Sequence, residues 1–140
     1  MQTITDDASV AQSLNGVARL RRGLGRIEEG LALHREALAM YERLRGLEHL
    51  DIAATRNYVG ETLVSLGRYA EALAEFEPAL ATNRKLLTGD DARLGNSLNN
   101  VGFALERLGR AEEALHYHEE AYALRLRMSP KGGPGVATSL

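Results

Sequence analysis

Asparagine recurs at a fixed spacing along this chain of 140 residues. Asn15, Asn57 and Asn99 are each 42 residues apart, and each lies in a stretch rich in helix-forming residues. Asparagine is a mediocre helix former because its amide competes for backbone groups, so its return at one position in three copies indicates a task for the side chain. The carboxamide can donate and accept hydrogen bonds at once, and bonds between neighbouring helices are one such task.

Other residues that could take part in catalysis or metal binding form weaker patterns. His116 and His118 are two residues apart and so lie on different faces of a helix, whereas helical metal ligands are three or four apart. Glutamate pairs such as Glu28 and Glu29 recur at the start of a predicted helix, where the helix dipole favours negative charge. No Ser-His-Asp arrangement and no phosphate-binding loop are legible, and the chain has no cysteine for a thiol nucleophile, a zinc site or a disulfide. We therefore expect no enzyme, no metal and no cofactor.

Composition narrows the class of protein further. Hydrophobic residues make up 44% of the chain and aromatic residues 5%, and the formal net charge is −2. This charge gives no basic field for nucleic acid or membrane surfaces, no apolar run approaches the roughly 18 residues of a membrane span, and the first seven residues lack the features of a signal peptide. We expect a cytoplasmic protein that binds neither nucleic acid nor membrane.

The elements that must position these side chains form a repeat. The pairs Gly25-Arg26, Gly67-Arg68 and Gly109-Arg110 are each 42 residues apart, and apolar residues spaced by three and four flank each pair, as in two amphipathic helices joined by a turn. Pro78 lies inside the helix predicted after Gly67-Arg68, where we expect a bend because proline removes a backbone donor. The predicted A helices span 8–22, 52–66 and 93–108, and the predicted B helices span 26–45, 68–87 and 111–127.

The copies share further columns of small residues, which permit two helices to cross closely. These columns are Ala18/Gly60/Gly102, Gly30/Ala72/Ala114 and Ala37/Ala79/Ala121. Together with the Gly-Arg-x-x-Glu-Ala turn they resemble the tetratricopeptide repeat, in the 42-residue variant of kinesin light chains. The resemblance implies an all-α solenoid of antiparallel helix hairpins in a right-handed superhelix. HEAT and armadillo repeats have a similar period but lack this turn. The chain divides into a leader (1–7), three repeats (8–49, 50–91, 92–133) and the start of a fourth repeat (134–140).

The resemblance also implies a function, which is to bind a protein or peptide. In this family the asparagine position faces a concave groove, where the amide would bond the backbone of an extended peptide; the bond between helices stays the alternative. Arg19, Arg21, Arg22 and Arg26 could hold a carboxylate, although a solvated helix end also explains this cluster. The family's carboxylate clamp needs a basic residue at matched groove positions in several repeats. It is not carried over, because the positions equivalent to Arg19 hold Glu61 and Phe103. The predicted groove residues are Asn15, Asn57, Asn99, Gln12, Arg19, Arg22, Tyr58, Glu61, Asn96, Asn100, Phe103 and Glu106.

Two other functions stay open at this stage. The last B helix should lack a following helix, so Tyr117, Leu124 and Met128 could pair with another copy and form a homo-oligomer through the C-terminal repeat. The repeats could also be the docking or sensor part of a larger signalling protein.

Overall fold

The computed structural model describes residues 8–129, and within this range it contains helices and no strand. The helices are α1 (Ala8–Gly23), α2 (Ile27–Arg45), α3 (Leu50–Ser65), α4 (Tyr69–Leu86), α5 (Ala92–Arg107) and α6 (Ala111–Met128). Consecutive helices pack as pairs, α1 with α2, α3 with α4 and α5 with α6. The predicted all-α architecture of helix hairpins is confirmed. We call α1, α3 and α5 the A helices, and α2, α4 and α6 the B helices; the predicted leader and the start of a fourth repeat lie outside the described residues.

Each hairpin turns at its Gly-Arg pair. Gly25, Gly67 and Gly109 have φ angles of 88°, 76° and 81°, a left-handed conformation that glycine adopts without a steric cost. The amide of the following arginine returns to a carbonyl five residues earlier, as in the bond of 2.8 Å from Arg26 N to Arg21 O. This is the Schellman arrangement that ends a helix and starts the next chain segment.

The glutamates after these turns have local partners. Glu71 and Glu113 each accept two hydrogen bonds from the turn arginine three residues earlier, Arg68 and Arg110. In the first hairpin Glu29 accepts instead from Arg21, at 2.9 Å. These carboxylates lie in the first turn of a B helix, so their arrangement agrees with a role at the helix start.

The small residues lie where the two helices of a hairpin cross. A Cβ atom added to Gly60 would come within 2.3 Å of the Phe76 ring, and one added to Gly102 within 2.8 Å of the His118 ring. Real Cβ atoms do not approach other atoms this closely, so the helices can cross at this distance only because these positions are glycine. The close helix crossing predicted from the columns of small residues is confirmed at both positions.

The hairpins are joined by packing of each A helix on the preceding B helix, α3 on α2 and α5 on α4. One apolar cluster runs from Leu31 in α2 to Leu124 in α6, and a second joins α1, α2 and α3 around Met40 and Ile52. Because both clusters cross hairpin boundaries, apolar packing joins all three hairpins.

Two departures from a regular repeat have a structural account. Arg56 stands where the other repeats have leucine, and its guanidinium lies 3.3 Å from a Glu42 carboxylate oxygen in α2 and 3.8 Å from one of Glu75 in α4. Helix α4 continues through Pro78 to Leu86. The carbonyl of Ala74 loses its helical donor to Pro78, and Ala74 is an exposed residue. The bend expected at Pro78 stays a prediction.

The apolar side chains exposed on the outer side of α6 are not all those that the sequence predicted. Leu124 is buried against α5 and belongs to the core cluster, so the prediction that it offers a surface to another copy is wrong. Exposed apolar side chains on α6 are instead Leu115, Tyr122 and Leu126, together with Met128 as predicted. Within residues 8–129, none of the helices has the length and apolarity needed to cross a membrane.

Candidate functional site

The asparagine column lies at the junctions between hairpins. Asn15 is buried, and its Nδ2 donates a hydrogen bond of 3.0 Å to Thr55 Oγ1 in α3. Thr55 Oγ1 donates in turn to the carbonyl of Asp51 at 2.8 Å, and His34 Nδ1 in α2 lies 2.8 Å from Asn15 Oδ1. Since Asn15 Oδ1 can only accept, Nδ1 of His34 carries the proton. One chain of three hydrogen bonds, each with a fixed direction, therefore ties α2 to α1 and α1 to α3.

The second hairpin repeats half of this arrangement. Asn57 Nδ2 donates to Ser97 Oγ in α5 at 3.3 Å, and Asn83 Nδ2 in α4 donates to the same oxygen at 3.0 Å. Phe76 stands where the first repeat has His34, so no imidazole reaches Asn57 Oδ1. That oxygen is buried and has no hydrogen-bond partner among the described residues.

The third hairpin keeps the other half. His118 Nδ1 lies 3.0 Å from Asn99 Oδ1, and His118 Nε2 lies 3.6 Å from a Glu106 carboxylate oxygen. The hydroxyl that would follow Asn99 at the same spacing is Ser139, which lies outside the described residues. In all three repeats the asparagine amide thus bonds within the scaffold, as the alternative interpretation of the column expects. Contact of these amides with a peptide stays a prediction.

Two adjacent pockets form a groove along the A helices. The first, of about 490 Å³, is lined by residues of α1 and α3 that include Gln12, Arg19 and Tyr58, and by Tyr41 and Arg45 of α2. The second, of about 250 Å³, is lined by residues of α3 and α5 that include Glu61 and Asn100, and it shares Ala54 and Tyr58 with the first. The two pockets meet at these residues and together extend over three A helices, and we call the pair the A-helix groove.

Tyr58 lies at the centre of this groove. The guanidinium carbon of Arg19 lies 5.6 Å from the centre of its ring, and the ring stacks on His34 with 5.3 Å between centroids. Cation–π contacts of this kind hold an arginine in place without neutralising its charge. Arg19 therefore presents a positively charged group beside the first pocket.

Burial shifts the pKa values of two groups near the groove. Burial lowers the pKa of His34 to about 4, and the positive charges of Arg22 and Arg19 contribute to that fall, so the ring is neutral near pH 7. Burial raises the pKa of Glu61, while Arg22 and a hydrogen bond with Asn100 oppose that rise. An Arg22 nitrogen lies 3.8 Å from a carboxylate oxygen of Glu61, so this pair joins the first hairpin to the second behind a residue that lines the groove.

A third pocket, of about 270 Å³, is lined by Phe103, Glu106 and Arg107 of α5. Phe103 meets Tyr69 edge to face with 6.5 Å between ring centroids, and the Arg107 guanidinium lies 5.4 Å from the Phe103 ring centre. This aromatic corner is open to solvent on one side, since Phe103 is an exposed residue.

Most of the predicted groove residues come together in these three pockets. Arg22 and Asn99 line none of them, and Asn96 accepts a hydrogen bond of 2.9 Å from Arg125 in α6.

Two further signals of the hydrogen bonds made by the asparagine column are present in the sequence. Hydroxyl residues form a column at Ser13, Thr55 and Ser97, and His34 and His118 each follow an asparagine by 19 residues. Residues of the three pockets that the sequence patterns did not predict are Ala8, Ser9, Gly16, Tyr41, Arg45, Asp51, Thr55, Asn83, Arg93 and Arg107.

Three hairpins of antiparallel helices, stacked around a shared core and bearing a groove along one set of helices, define a helical-repeat scaffold. The profile described as tetratricopeptide repeat matches residues 9–77 and 51–127. The chain belongs to the tetratricopeptide repeat family, whose repeats mediate protein–protein interaction and whose fold is a non-catalytic scaffold. No match was found among curated proteins.

Solved structures agree with this assignment. The crystal structure of BtubC (BKLC) from P. vanneervenii is 25% identical with a TM-score of 0.85, and the match covers 89% of this chain and 50% of that one. A Podosopora anserina protein described as a putative kinesin light chain of nearly identical TPR-like repeats is 20% identical with a TM-score of 0.75, over 90% of this chain and 60% of that one. The TPR domain of Arabidopsis FLU is 16% identical with a TM-score of 0.71, over 85% of this chain and 96% of that domain. The chain thus spans about half of the first of these relatives and most of the FLU domain.

Proposed function

We propose that this chain binds an extended segment of a partner protein in the A-helix groove. The observation that carries the proposal is the adjacency of the two pockets, which share Ala54 and Tyr58 and together extend over three A helices. A segment bound there would meet all three hairpins in succession. The groove is also held open by the scaffold, so binding would not require the groove itself to become ordered.

The groove offers two kinds of contact to such a segment. Its walls carry amide side chains, Gln12 in α1 and Asn100 in α5, which can pair with the donors and acceptors of a peptide backbone. Tyr58 at its centre offers apolar surface to a side chain of the segment, and so would the aromatic corner at Phe103, which lies outside the groove one helical turn along α5 from Asn100. Backbone contacts would supply affinity for extended chains in general, and the aromatic positions would supply selectivity.

A selection of unstructured peptides on the immobilised chain, followed by titration of the selected peptides, tests this proposal. We expect the double variant Gln12→Ala/Asn100→Ala and the variant Phe103→Ala each to weaken binding about tenfold or more, which corresponds to ~1.4 kcal/mol. The control is Glu36→Ala/Glu119→Ala, which changes two exposed residues of the B helices. Peptides whose affinity responds to the control and not to the groove variants would place the binding surface elsewhere and overturn the proposal.

A further inference from the structure

Helices α3 and α5 begin at caps of different chemistry. His49 and Asp91 are 42 residues apart, so they occupy the same place in the repeat. Asp51 N donates a hydrogen bond of 3.0 Å to His49 Nδ1, and Arg93 N donates one of 2.9 Å to Asp91 Oδ1. Both capping residues have the extended backbone that this position favours. The two junctions therefore share one local geometry, with an imidazole in the first and a carboxylate in the second.

The carboxylate cap of α5 forms an ion pair while it caps the helix. Asp91 Oδ1 accepts from the backbone and from Nε of Arg93, and Asp91 Oδ2 accepts from a terminal nitrogen of the same guanidinium at 2.8 Å. The hydrogen bonds from the side chain and then the backbone of Arg93 lower the pKa of Asp91 to about 2, so the cap stays ionised near pH 7. Because a carboxylate has two accepting oxygens, the cap and the ion pair do not compete.

The imidazole cap of α3 cannot hold both kinds of partner at once. His49 Nδ1 accepts from Asp51 N while that ring nitrogen carries no proton, and it lies 3.7 Å from Asp51 Oδ2. A protonated ring has two donors and no acceptor, and its positive charge is unfavourable at a helix N-terminus. Histidine is the side chain whose charge changes near neutral pH, and the side chain of His49 is 41% exposed, so water can deliver the proton.

Arg45 at the end of α2 shares the carboxylate that faces His49. Its Nε donates to Asp51 Oδ2 at 2.9 Å, and this is the same oxygen that lies 3.7 Å from His49 Nδ1. Both Arg45 and Asp51 line the first pocket of the A-helix groove. Protonation of His49 therefore adds a positive charge beside this pair, and two cations then compete for one oxygen.

The first turn of α3 also receives the hydrogen bond that joins it to α1. The carbonyl of Asp51 accepts from Thr55 Oγ1 at 2.8 Å, and Thr55 Oγ1 accepts from Asn15 Nδ2 at 3.0 Å. The N–H of Asp51 is held by His49 and its carbonyl by Thr55. Loss of the cap would therefore loosen the turn to which the first hairpin is bonded.

Other charged or titratable groups face this junction from neighbouring helices. Lys85 of α4 donates to both carboxylate oxygens of Glu48 at 2.9 Å, so these two charges match each other. Burial and then the charge of Asp51 raise the pKa of Tyr41 in α2, so this phenol is neutral near pH 7. Arg19 of α1 lines the same pocket. Asp51, at 3.7 Å, is thus the carboxylate in position to take the charge of His49.

We propose that His49 is a pH-sensitive switch at the junction between the first two hairpins. While the ring is neutral, it caps α3 and Arg45 holds the Asp51 carboxylate. When the ring is protonated, it leaves the cap and pairs with that carboxylate, so the Asp51 N–H turns to water and Arg45 is held less firmly. An effect on a bound segment would rest on the function proposed above, through Arg45 and Asp51 in the first pocket, whereas the switch itself does not.

Proton–nitrogen NMR spectra of the full chain, recorded from about pH 8 to about pH 5, test the proposal. The ring nitrogens of His49 report its protonation, the amide proton of Asp51 reports the cap bond, and the exchange of Arg45 Nε–H with water reports the ion pair. We expect all three signals to change with one midpoint. His34 does not contribute in this range, because its pKa in the folded chain is about 4.

The matched control is His49→Asn, because asparagine is a good N-cap residue and does not titrate in this range. At the acidic end of the series, Arg45 Nε–H should exchange about threefold or more faster in the unmodified chain than in the control at the same pH, since local opening exposes it. The amide proton of Asp51 should show its step in the unmodified chain and none in the control.

An Asp51 amide proton that stays unchanged while the His49 ring is protonated would overturn the proposal. The same step in His49→Asn would also overturn it, because another group would then cause the change. These measurements use no peptide. A chain that shows the step and binds no selected peptide would therefore support the switch and contradict the proposed function, and the reverse result would contradict the switch alone.

Discussion

A single asparagine shows how one polar side chain can connect three helices. The Asn15 amide accepts from His34 in α2 and donates to Thr55 in α3. Both the oxygen and the nitrogen of this buried amide therefore form hydrogen bonds. A buried polar group costs free energy when its partner is removed, by more than the bond itself contributes. Asn15 therefore stabilises the stacking of the first two hairpins through directional hydrogen bonds. A single apolar substitution at this position would leave its partners unpaired.

Replacement of Asn15 by alanine should lower the free energy of unfolding by about 2 kcal/mol, because it leaves a buried His34 donor unpaired. Gln12→Ala, on the same helix and exposed to solvent, is the control and should change stability by less than ~0.5 kcal/mol. Urea denaturation followed by circular dichroism measures both values. Equal stabilities for the two variants would show that the chain of bonds through Asn15 contributes nothing.

The protonation of His34 gives a second prediction at this scale. The pKa of His34 is lowered from 6.5 to about 4 in the folded chain, so the folded state holds the ring neutral. Above pH 6.5 the ring is neutral in both states and stability is unaffected; as pH falls from 6.5 to 4, the unfolded state binds a proton first and stability declines. We expect a loss of about 3 kcal/mol over this range, measured by denaturation at a series of pH values.

The charges that face His34 are those of Arg19 and Arg22 in α1, and Tyr58 stacks on it from α3. The control is the double variant His34→Phe/Ala18→Gly, which copies the pairing of Phe76 with Gly60 in the second repeat. Its stability should vary less between pH 6.5 and 4 than that of the unmodified chain. Identical pH profiles for the two proteins would assign the loss to other groups.

At the scale of the helix, the crossing distance within a hairpin depends on the absence of one carbon atom. Three atoms of the Phe76 ring would lie within 2.8 Å of a Cβ on Gly60. A ring in a packed core has little room to shift, because interiors are packed to crystalline density. The aromatic residue of the B helix and the glycine of the A helix are thus a matched pair.

Gly60→Ala should therefore destabilise the chain by about 2 kcal/mol, through overpacking against Phe76. Gly16→Ala is the matched control, since Gly16 is also inside an A helix and a Cβ there would meet nothing within 4 Å. This control should gain about 0.5–1 kcal/mol, because alanine is the better helix former. Thermal denaturation distinguishes the two, and a loss of stability in both variants would contradict the packing argument.

Local patterns in the sequence predicted the helices and turns well, because those features depend on near neighbours. The Gly-Arg pairs place each turn, and the apolar spacing places each helix to within about two residues. The role of the asparagines was harder to predict, since helical geometry says which face Asn15 occupies but not that Thr55, forty residues on, will reach it. The pairing of Arg56 with Glu42 and Glu75 is non-local in the same way.

Across the whole molecule, charged residues join hairpins at a few points where the repeats differ. Arg56 contacts Glu42 of the first hairpin and Glu75 of its own, while Arg35 lies 3.8 Å from Glu75 across the same boundary. One Glu75 carboxylate oxygen is buried and accepts no hydrogen bond among the described residues. Removal of one partner from such a cluster costs more than replacement of the cluster by apolar residues.

Arg56→Leu should therefore lower the free energy of unfolding by about 2 kcal/mol, because Glu75 loses a neighbouring cation in a poorly solvated place. The double variant Arg56→Leu/Glu75→Leu should recover most of the loss, since leucine occupies the equivalent positions 14 and 33 in the first repeat. A double-mutant cycle from urea denaturation measures the coupling. Additive effects of the two substitutions would show that the cluster does not act as a unit.

The bond from one asparagine to a hydroxyl 40 residues later has an evolutionary consequence. Both partners belong to every 42-residue unit, as Asn57 and Thr55 show within the second. A gene segment that encodes one unit, when duplicated in tandem, would bring a new donor for the unit that follows and a new acceptor for the unit that precedes. The array could thus gain or lose whole units by recombination without compensating mutations elsewhere, and each gain would lengthen the surface available to a partner.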